Sequence, residues 1–294
     1  MAGSRTKFEQ YIDAEVQKYR GIAYPIKSSL LRRRVVRHAP CQKLHPNPGD
    51  EFCDPDIGPN GEIIQSYCQE IDVARQYAKR EVFSQPLMVE RIHPDGYQLL
   101  NGHHRWAAAM NRSVRKVPIK IVNPTLESDL MQMIRKVHHH KRVTLDLDEV
   151  IFSGGAENAW EEPPAFPWNL LDKQQLRRGV PALIYYFRSH QYDVWVYSRQ
   201  YHSFDAIRAL FRHYHVQVDG IVTGMVAKRP EMGAIRERLE KLTKDQYPKT
   251  VHIDARSVLC IDREARAFQE FELTGNAETW SHEIMDCMGA YEKQ

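Results

Sequence analysis

The chain reads as an α/β protein in two parts, a small mixed α/β domain followed by a doubly wound parallel sheet with a minimal cap. Three observations predict this. The 294 residues, 42% hydrophobic and 27% charged, give a globular composition and length for two domains. In the first part, short β runs flank an Asp95-Gly96 turn and lead into an Ala-rich helical stretch. From residue 143 onward, apolar β runs alternate with helical periods, the pattern of a parallel sheet covered on both faces.

Taken in order, Phe8, Tyr11, Ile12 and Val16 predict a helix over 7–20, ended by Gly21 and Pro25. Residues 38–61 are dense in Pro, Gly, Asn and Asp and predict a long ordered loop, with a helix following over 63–80. A strand over 86–92, the Asp95-Gly96 turn and a strand over 97–100 predict a hairpin. Gly102 opens a helix reaching about Met110, and residues 117–122 read as another strand. A linker helix is expected over 125–141, ending in His138, His139 and His140, which at a linker end are more often a solvated turn than metal ligands. Strands over 143–147, 194–197 and 258–261, a short run at 220–223, and helices over 179–190, 204–213 and 231–242 complete the second part. The expected boundaries are 1–37 for an N-terminal helix and basic segment, 38–124 for the first domain, 125–141 for the linker and 142–294 for the second domain.

Composition narrows the function classes. No apolar run reaches the roughly 18 residues of a membrane span, and Glu9, Asp13 and Glu15 stand among the basic residues of the N-terminus, so a soluble, cytoplasmic protein without a membrane partner is expected. Cys41, Cys53, Cys68, Cys260 and Cys287 show no CxxC pairing and predict thiols rather than a zinc site. A net charge of +3 does not by itself argue for nucleic acid. The strongest basic cluster is Arg32-Arg33-Arg34 with Arg37 and His38, and a charge run of this kind is usually a solvated face. Nucleic acid is therefore not the favoured partner.

The chemistry concentrates after the first strand of the second domain. Val143-Thr144-Leu145-Asp146-Leu147-Asp148 places two carboxylates two residues apart beyond an apolar β run. Ligands of doubly wound sheets bind outside the carboxyl ends of the strands. If the chain stays extended, both acids face one side and form a hard-oxygen patch suited to magnesium. This run resembles the first motif of the haloacid-dehalogenase (HAD) superfamily of phosphohydrolases, and further motifs follow in order. Ser198 ends the run Val194-Trp195-Val196-Tyr197, Lys228 precedes the helix from Glu231, and Asp262 ends Val258-Leu259-Cys260-Ile261. The resemblance covers residues 142 to about 275. It implies a Mg2+-dependent phosphatase acting on a phosphorylated substrate, with Asp146 as nucleophile and Asp148 as general acid/base. Ser198 and Lys228 would hold the phosphoryl oxygens, and Asp146, the carbonyl of Asp148 and Asp262 would hold the metal. About 50 residues separate Asp148 from Ser198, and part of them must build the next core helix, which leaves little room for a large cap; Gly154, Gly155 and residues 163–168 could form a flap.

A second constellation lies in the first domain, where Leu99-Leu100-Asn101-Gly102-His103-His104-Arg105-Trp106 is a strand end, a glycine turn and a helix start. A helix entrance presents free backbone N–H groups and a positive dipole end, which suit a phosphate. With residues 85–89 upstream and 117–119 downstream, this segment resembles the ParB/sulfiredoxin-like nucleotide-binding fold over roughly 38–123. The resemblance implies that Gly102, His103, His104 and Arg105 bind the phosphates of a nucleotide, ATP, ADP or CTP. His103 stands where sulfiredoxins carry a catalytic cysteine, which argues against sulfinic-acid reduction. Two alternative functions follow. One is a bifunctional nucleotide-dependent small-molecule kinase and phosphatase, with Asp50, Glu51 and Asp54 as acids of the kinase half; the other is a non-enzymatic nucleic-acid-binding regulatory module.

Overall fold

The computed structural model describes residues 6–79, 81–153, 159–166, 174–224, 233–276 and 278–293. The described residues form a mixed α/β structure with two six-stranded sheets. The chain divides into two compact units, one spanning Met1–Asn123 and the other Pro124–Val226 with Ala234–Gln294. No helix among the described residues is long and apolar enough to cross a membrane.

In the first unit, helix α1 (Lys7–Tyr19) starts where the Thr6 hydroxyl accepts from Glu9 N and the Glu9 carboxylate accepts from Thr6 N, a reciprocal cap. Its Ile12, with Phe8 and Val16, packs on the core of this unit. The elements that follow are β1 (Tyr24–Pro25), α2 (Leu30–Arg34), β2 (Arg37–Pro40), β3 (Leu44–His45), α3 (Gly61–Gln76), β4 (Leu87–His93), β5 (Tyr97–Asn101), α4 (His103–Asn111) and β6 (Lys116–Ile121). The sheet order is β2-β6-β4-β5-β3, with β1 pairing β4. The β4–β5 pair is antiparallel, as the Asp95-Gly96 signal predicts, and β4–β6 is parallel. Gly96 has φ +90°, and a Cβ there would lie 2.6 Å from His45 Nε2, so the turn accepts no side chain. The arginine run does not form one basic face, because Arg33 is buried and its Nε donates to the Ser28 carbonyl.

The second unit begins with α5 (Glu127–Ile134), shorter than the predicted 125–141 and not a free connector, since its Met133 is buried with Val143 and Leu145. Then come β7 (Lys141–Asp146), α6 (Val180–Ser189), β8 (Tyr192–Tyr197), α7 (Phe204–His213), β9 (Gly220–Val222), α8 (Gly233–Gln246), β10 (Lys249–Ile253), β11 (Ser257–Asp262), β12 (Ala267–Glu272) and α9 (Trp280–Tyr291). The sheet order is β12-β11-β10-β7-β8-β9. Strands β10, β7, β8 and β9 run parallel, while β11 and β12 are antiparallel additions. Strand β8 is buried along nearly its whole length, as a strand covered on both faces must be. On β7, Val143 and Leu145 enter the apolar core, while Arg142 points the other way, near the Trp195 and Tyr247 rings, and donates to the Tyr197 hydroxyl at 3.1 Å. The sequence pattern predicts a strand at 258–261 but none at 249–253, and this omission reverses the direction assigned to the last acid of the pattern.

Close packing sets a sharp contrast between two glycines. A Cβ on Gly220 would fall 2.1 Å from the Trp195 ring, whereas Gly289, inside α9, has nothing within 4 Å. Gly220→Ala is expected to destabilise the protein by about 1–3 kcal/mol through overpacking. Gly289→Ala is expected to stabilise it by about 0.5 kcal/mol through helix propensity. Urea unfolding midpoints of the two variants check both signs.

Candidate functional site

Asp146 is the last residue of β7, and a single π-helical turn, Leu147–Ile151, follows it. Its Oδ1 accepts from the backbone N–H of Asp148 at 2.8 Å and of Glu149 at 2.7 Å. That cap fixes the carboxylate and leaves Oδ2 without a hydrogen bond among the described residues. The strand does not continue to Asp148, so the two acids are brought together by this turn rather than by strand alternation. Asp148 is gripped from the neighbouring strand's exit instead: Ser198 Oγ donates to Oδ2 at 2.6 Å, and His202 Nε2 lies 2.9 Å from Oδ1. Ser198 is buried, its N–H donates to the Val222 carbonyl, and its Oγ accepts from Gln200 N at 2.9 Å. The structure thus joins Asp146, Asp148 and Ser198, with the Ser198 hydroxyl directed at Asp148.

Asp262 does not join them. It ends β11, which is antiparallel to β10, and pairs with Lys249, whose other ladder partner is Lys141 at the entrance of β7. At about 3.3 Å per residue, that is roughly 16 Å along the strand from Asp146. There Asp262 accepts from Ala265 N at 3.0 Å and pairs with Lys249 Nζ at 3.1 Å, and both contacts hold its carboxyl below the usual carboxylate range. The metal role read for Asp262 from sequence is therefore corrected: it lies at the wrong end of the sheet. The acid at the right end is Asp254, one residue beyond the Ile253↔Leu145 pair and so beside Asp146. Its Oδ1 accepts from the N–H groups of Arg256 and Ser257, each at 2.7 Å, in the tight turn between β10 and β11. Among the described residues no group of three or more His, Cys, Asp or Glu side chains is placed to hold a metal ion. Lys228 lies outside the described residues, as do Gly154, Gly155 and part of the 163–168 flap. His138 and His139 donate their backbone N–H groups to Asp193 Oδ2.

In the first unit, Gly102 adopts φ +101° immediately before α4, where an added Cβ would meet Leu87 at 3.0 Å and the Arg105 guanidinium at 3.1 Å. The three basic side chains that follow bind the protein itself. His103 Nε2 accepts from Asn47 N at 3.1 Å, and His104 Nε2 accepts from Asn60 N at 3.2 Å. Arg105 Nη1 donates to the Gln85 carbonyl at 2.6 Å and Nη2 to Asn101 Oδ1 at 3.1 Å. The phosphate-binding role read for these side chains is not what their contacts show. They brace the loop and the turn, and the bond from Trp106 N to the Gly102 carbonyl closes the first turn of α4, so the N–H groups that precede it have no partner within the helix.

His103 is almost wholly buried, and because its Nε2 accepts an N–H, its proton sits on Nδ1, 3.5 Å from Asp50 Oδ2. Burial pushes its pKa down from 6.5 to about 4, against the pull of Asp50. The folded state therefore resists a proton that the unfolded chain accepts. This histidine's contribution to stability is complete above about pH 6.5 and is lost as pH falls towards about 4. His103→Gln, which keeps an acceptor for Asn47 N, is expected to flatten the fall of the urea midpoint across that window. An unchanged pH dependence contradicts the assignment.

Residues 68–137, less than half of the chain, match the family model described as the ParB N-terminal domain. Comparison with curated proteins gives no match. Among solved structures, the C-terminally truncated chromosome-partitioning protein ParB of Caulobacter crescentus complexed with CTP-γ-S is 25% identical, covers 36% of this chain and 56% of its own, and has a TM-score of 0.24. The same protein complexed with the centromeric parS site is 23% identical, covers 35% of this chain and 50% of its own, and has a TM-score of 0.22. The chain thus spans about half the length of those ParB structures, and the region similar to the ParB N-terminal domain is the one that contains the Gly102 turn.

Proposed function

We propose that the second unit is a HAD-like phosphohydrolase that acts on a phosphorylated substrate through an aspartyl phosphate on Asp146. The observation that carries this reading is the parallel register of β10, β7 and β8: Asp254 follows the Ile253↔Leu145 pair and Ser198 follows the Asp146↔Tyr197 pair, so all three residues stand at the carboxyl edge of the sheet. Asp146 Oδ2 is the free nucleophilic oxygen, its partner oxygen being held by two N–H groups. Asp148, held by Ser198 and His202, protonates the leaving oxygen and then takes a proton from the attacking water. The donor set fits magnesium, which takes one or two carboxylates and keeps several waters: Asp146, Asp254 and the carbonyl of Asp148 are all hard oxygens. When bound, magnesium offsets the repulsion between the anionic nucleophile and the anionic phosphoryl group.

For the first unit, the match of residues 68–137 to the ParB N-terminal domain supports nucleotide binding at the Gly102 turn. The N–H groups at the start of α4 receive the phosphates there, and Arg105 keeps the turn in shape through its bonds to Gln85 and Asn101. CTP, bound as its γ-thio analogue by the Caulobacter protein, is the first nucleotide to test.

Asp146→Asn is expected to lower magnesium-dependent phosphate release by at least about a thousandfold without altering the circular dichroism spectrum. Asp254→Asn is expected to raise the magnesium concentration needed for half-maximal release, and Asp262→Asn to leave it unchanged. The reverse pattern for Asp254 and Asp262 contradicts the site. Calorimetric titration with CTP, ATP and ADP tests the first unit; no heat of binding with any of them removes the nucleotide from the account.

A further inference from the structure

Four residues beyond Ser198, the turn after β8 returns a side chain to the site that no sequence motif marks. His202 Nε2 is 2.9 Å from Asp148 Oδ1, while Ser198 Oγ holds the other oxygen of the same carboxylate at 2.6 Å. With Asp148 as carboxylate both its oxygens only accept, and the contact then takes the Nε2–H tautomer of His202 as donor. The ring is itself fixed. The His202 N–H donates to the Gln200 carbonyl at 3.1 Å, and the Phe152 ring packs against the imidazole at 5.7 Å in an edge arrangement. Phe152 directly follows the π-helical turn that carries Asp148, so the histidine is seated against the element it restrains.

We infer that His202 is a positioning residue that aims the Asp148 carboxyl group at the leaving oxygen of the substrate; the inference rests on the phosphohydrolase reading. Ser198 alone leaves the carboxyl free to swing about one anchored oxygen, and the second anchor removes that freedom. In the first half of the reaction the bond from Asp146 Oδ2 to phosphorus forms, the bond from phosphorus to the leaving oxygen breaks, and the proton of Asp148 passes to that oxygen. In the second half water attacks phosphorus, the bond to Asp146 breaks, and the water proton returns to Asp148. His202 exchanges no proton in either half. Its donor contact needs one acceptor lone pair on Oδ1, which that oxygen keeps whether or not Asp148 is protonated.

The consequence is a dependence on the leaving group. An alkyl phosphate releases a strongly basic oxygen that needs the proton of Asp148, whereas p-nitrophenyl phosphate releases a weakly basic one that needs it far less. In the full chain with magnesium, His202→Ala is expected to lower kcat/KM for an alkyl phosphate by at least about tenfold more than for p-nitrophenyl phosphate. His202→Gln, which keeps an N–H donor near the same place, is expected to recover part of the alkyl phosphate rate. Equal losses on the two substrates, no loss on either, or a Gln variant as impaired as Ala overturns the positioning role. A wild-type chain that releases phosphate from neither substrate overturns the phosphohydrolase reading itself, and this inference with it.

Discussion

The parallel register of β10, β7 and β8 is the constraint on which the candidate site depends. In a parallel ladder every strand exits at the same edge, so residues that follow different strands converge without any contact between them in sequence. Asp146, Ser198 and Asp254 each stand at or just past such an exit, and the turn after β8 adds His202. The antiparallel β11 sends Asp262 back to the opposite edge, where Lys249 neutralises it. Strand direction, rather than residue type, decides which acids meet.

This explains what the sequence reveals and what it conceals. Asp146 and Ser198 are legible because each follows a largely apolar run, Val143 to Leu145, broken only by Thr144, and Val194 to Tyr197. Strand β10 is not, since Thr250 and His252 break its pattern on the face where Thr144 Oγ1 meets His252 Nδ1 at 2.6 Å. With β10 unread, the more apolar β11 takes its place and Asp262 takes the place of Asp254. His202 carries no local signal at all, because its role arises from a turn whose path depends on tertiary contacts. The signal available for Asp254 is the Asp-x-Arg-Ser turn, whose carboxylate caps two N–H groups.

In the first unit the hairpin, the glycine turn and the Ala-rich helix are legible because turn chemistry and burial act locally. Ala107, Ala108 and Ala109 are all buried beside the large Trp106 ring, which their small side chains permit. The roles of the basic side chains are not legible, because composition shows charge and donors but not their partners. Burial makes the difference: His103 and Arg105 lie inside, where an unpaired polar group is costly, and both satisfy loop backbone instead. The result is a turn braced by its own side chains, with peptide N–H groups at the start of the helix that follows.

The most direct test of the account is to trap the phosphoryl group on the protein. The wild-type chain would be incubated with p-nitrophenyl phosphate and magnesium, quenched, reduced with borohydride and mapped by mass spectrometry. Reduction of an aspartyl phosphate converts that residue to homoserine, so homoserine is expected at Asp146 and is expected to be absent from the Asp146→Asn variant. Phosphate release without modification at Asp146, or with homoserine formed at another acid, would contradict it.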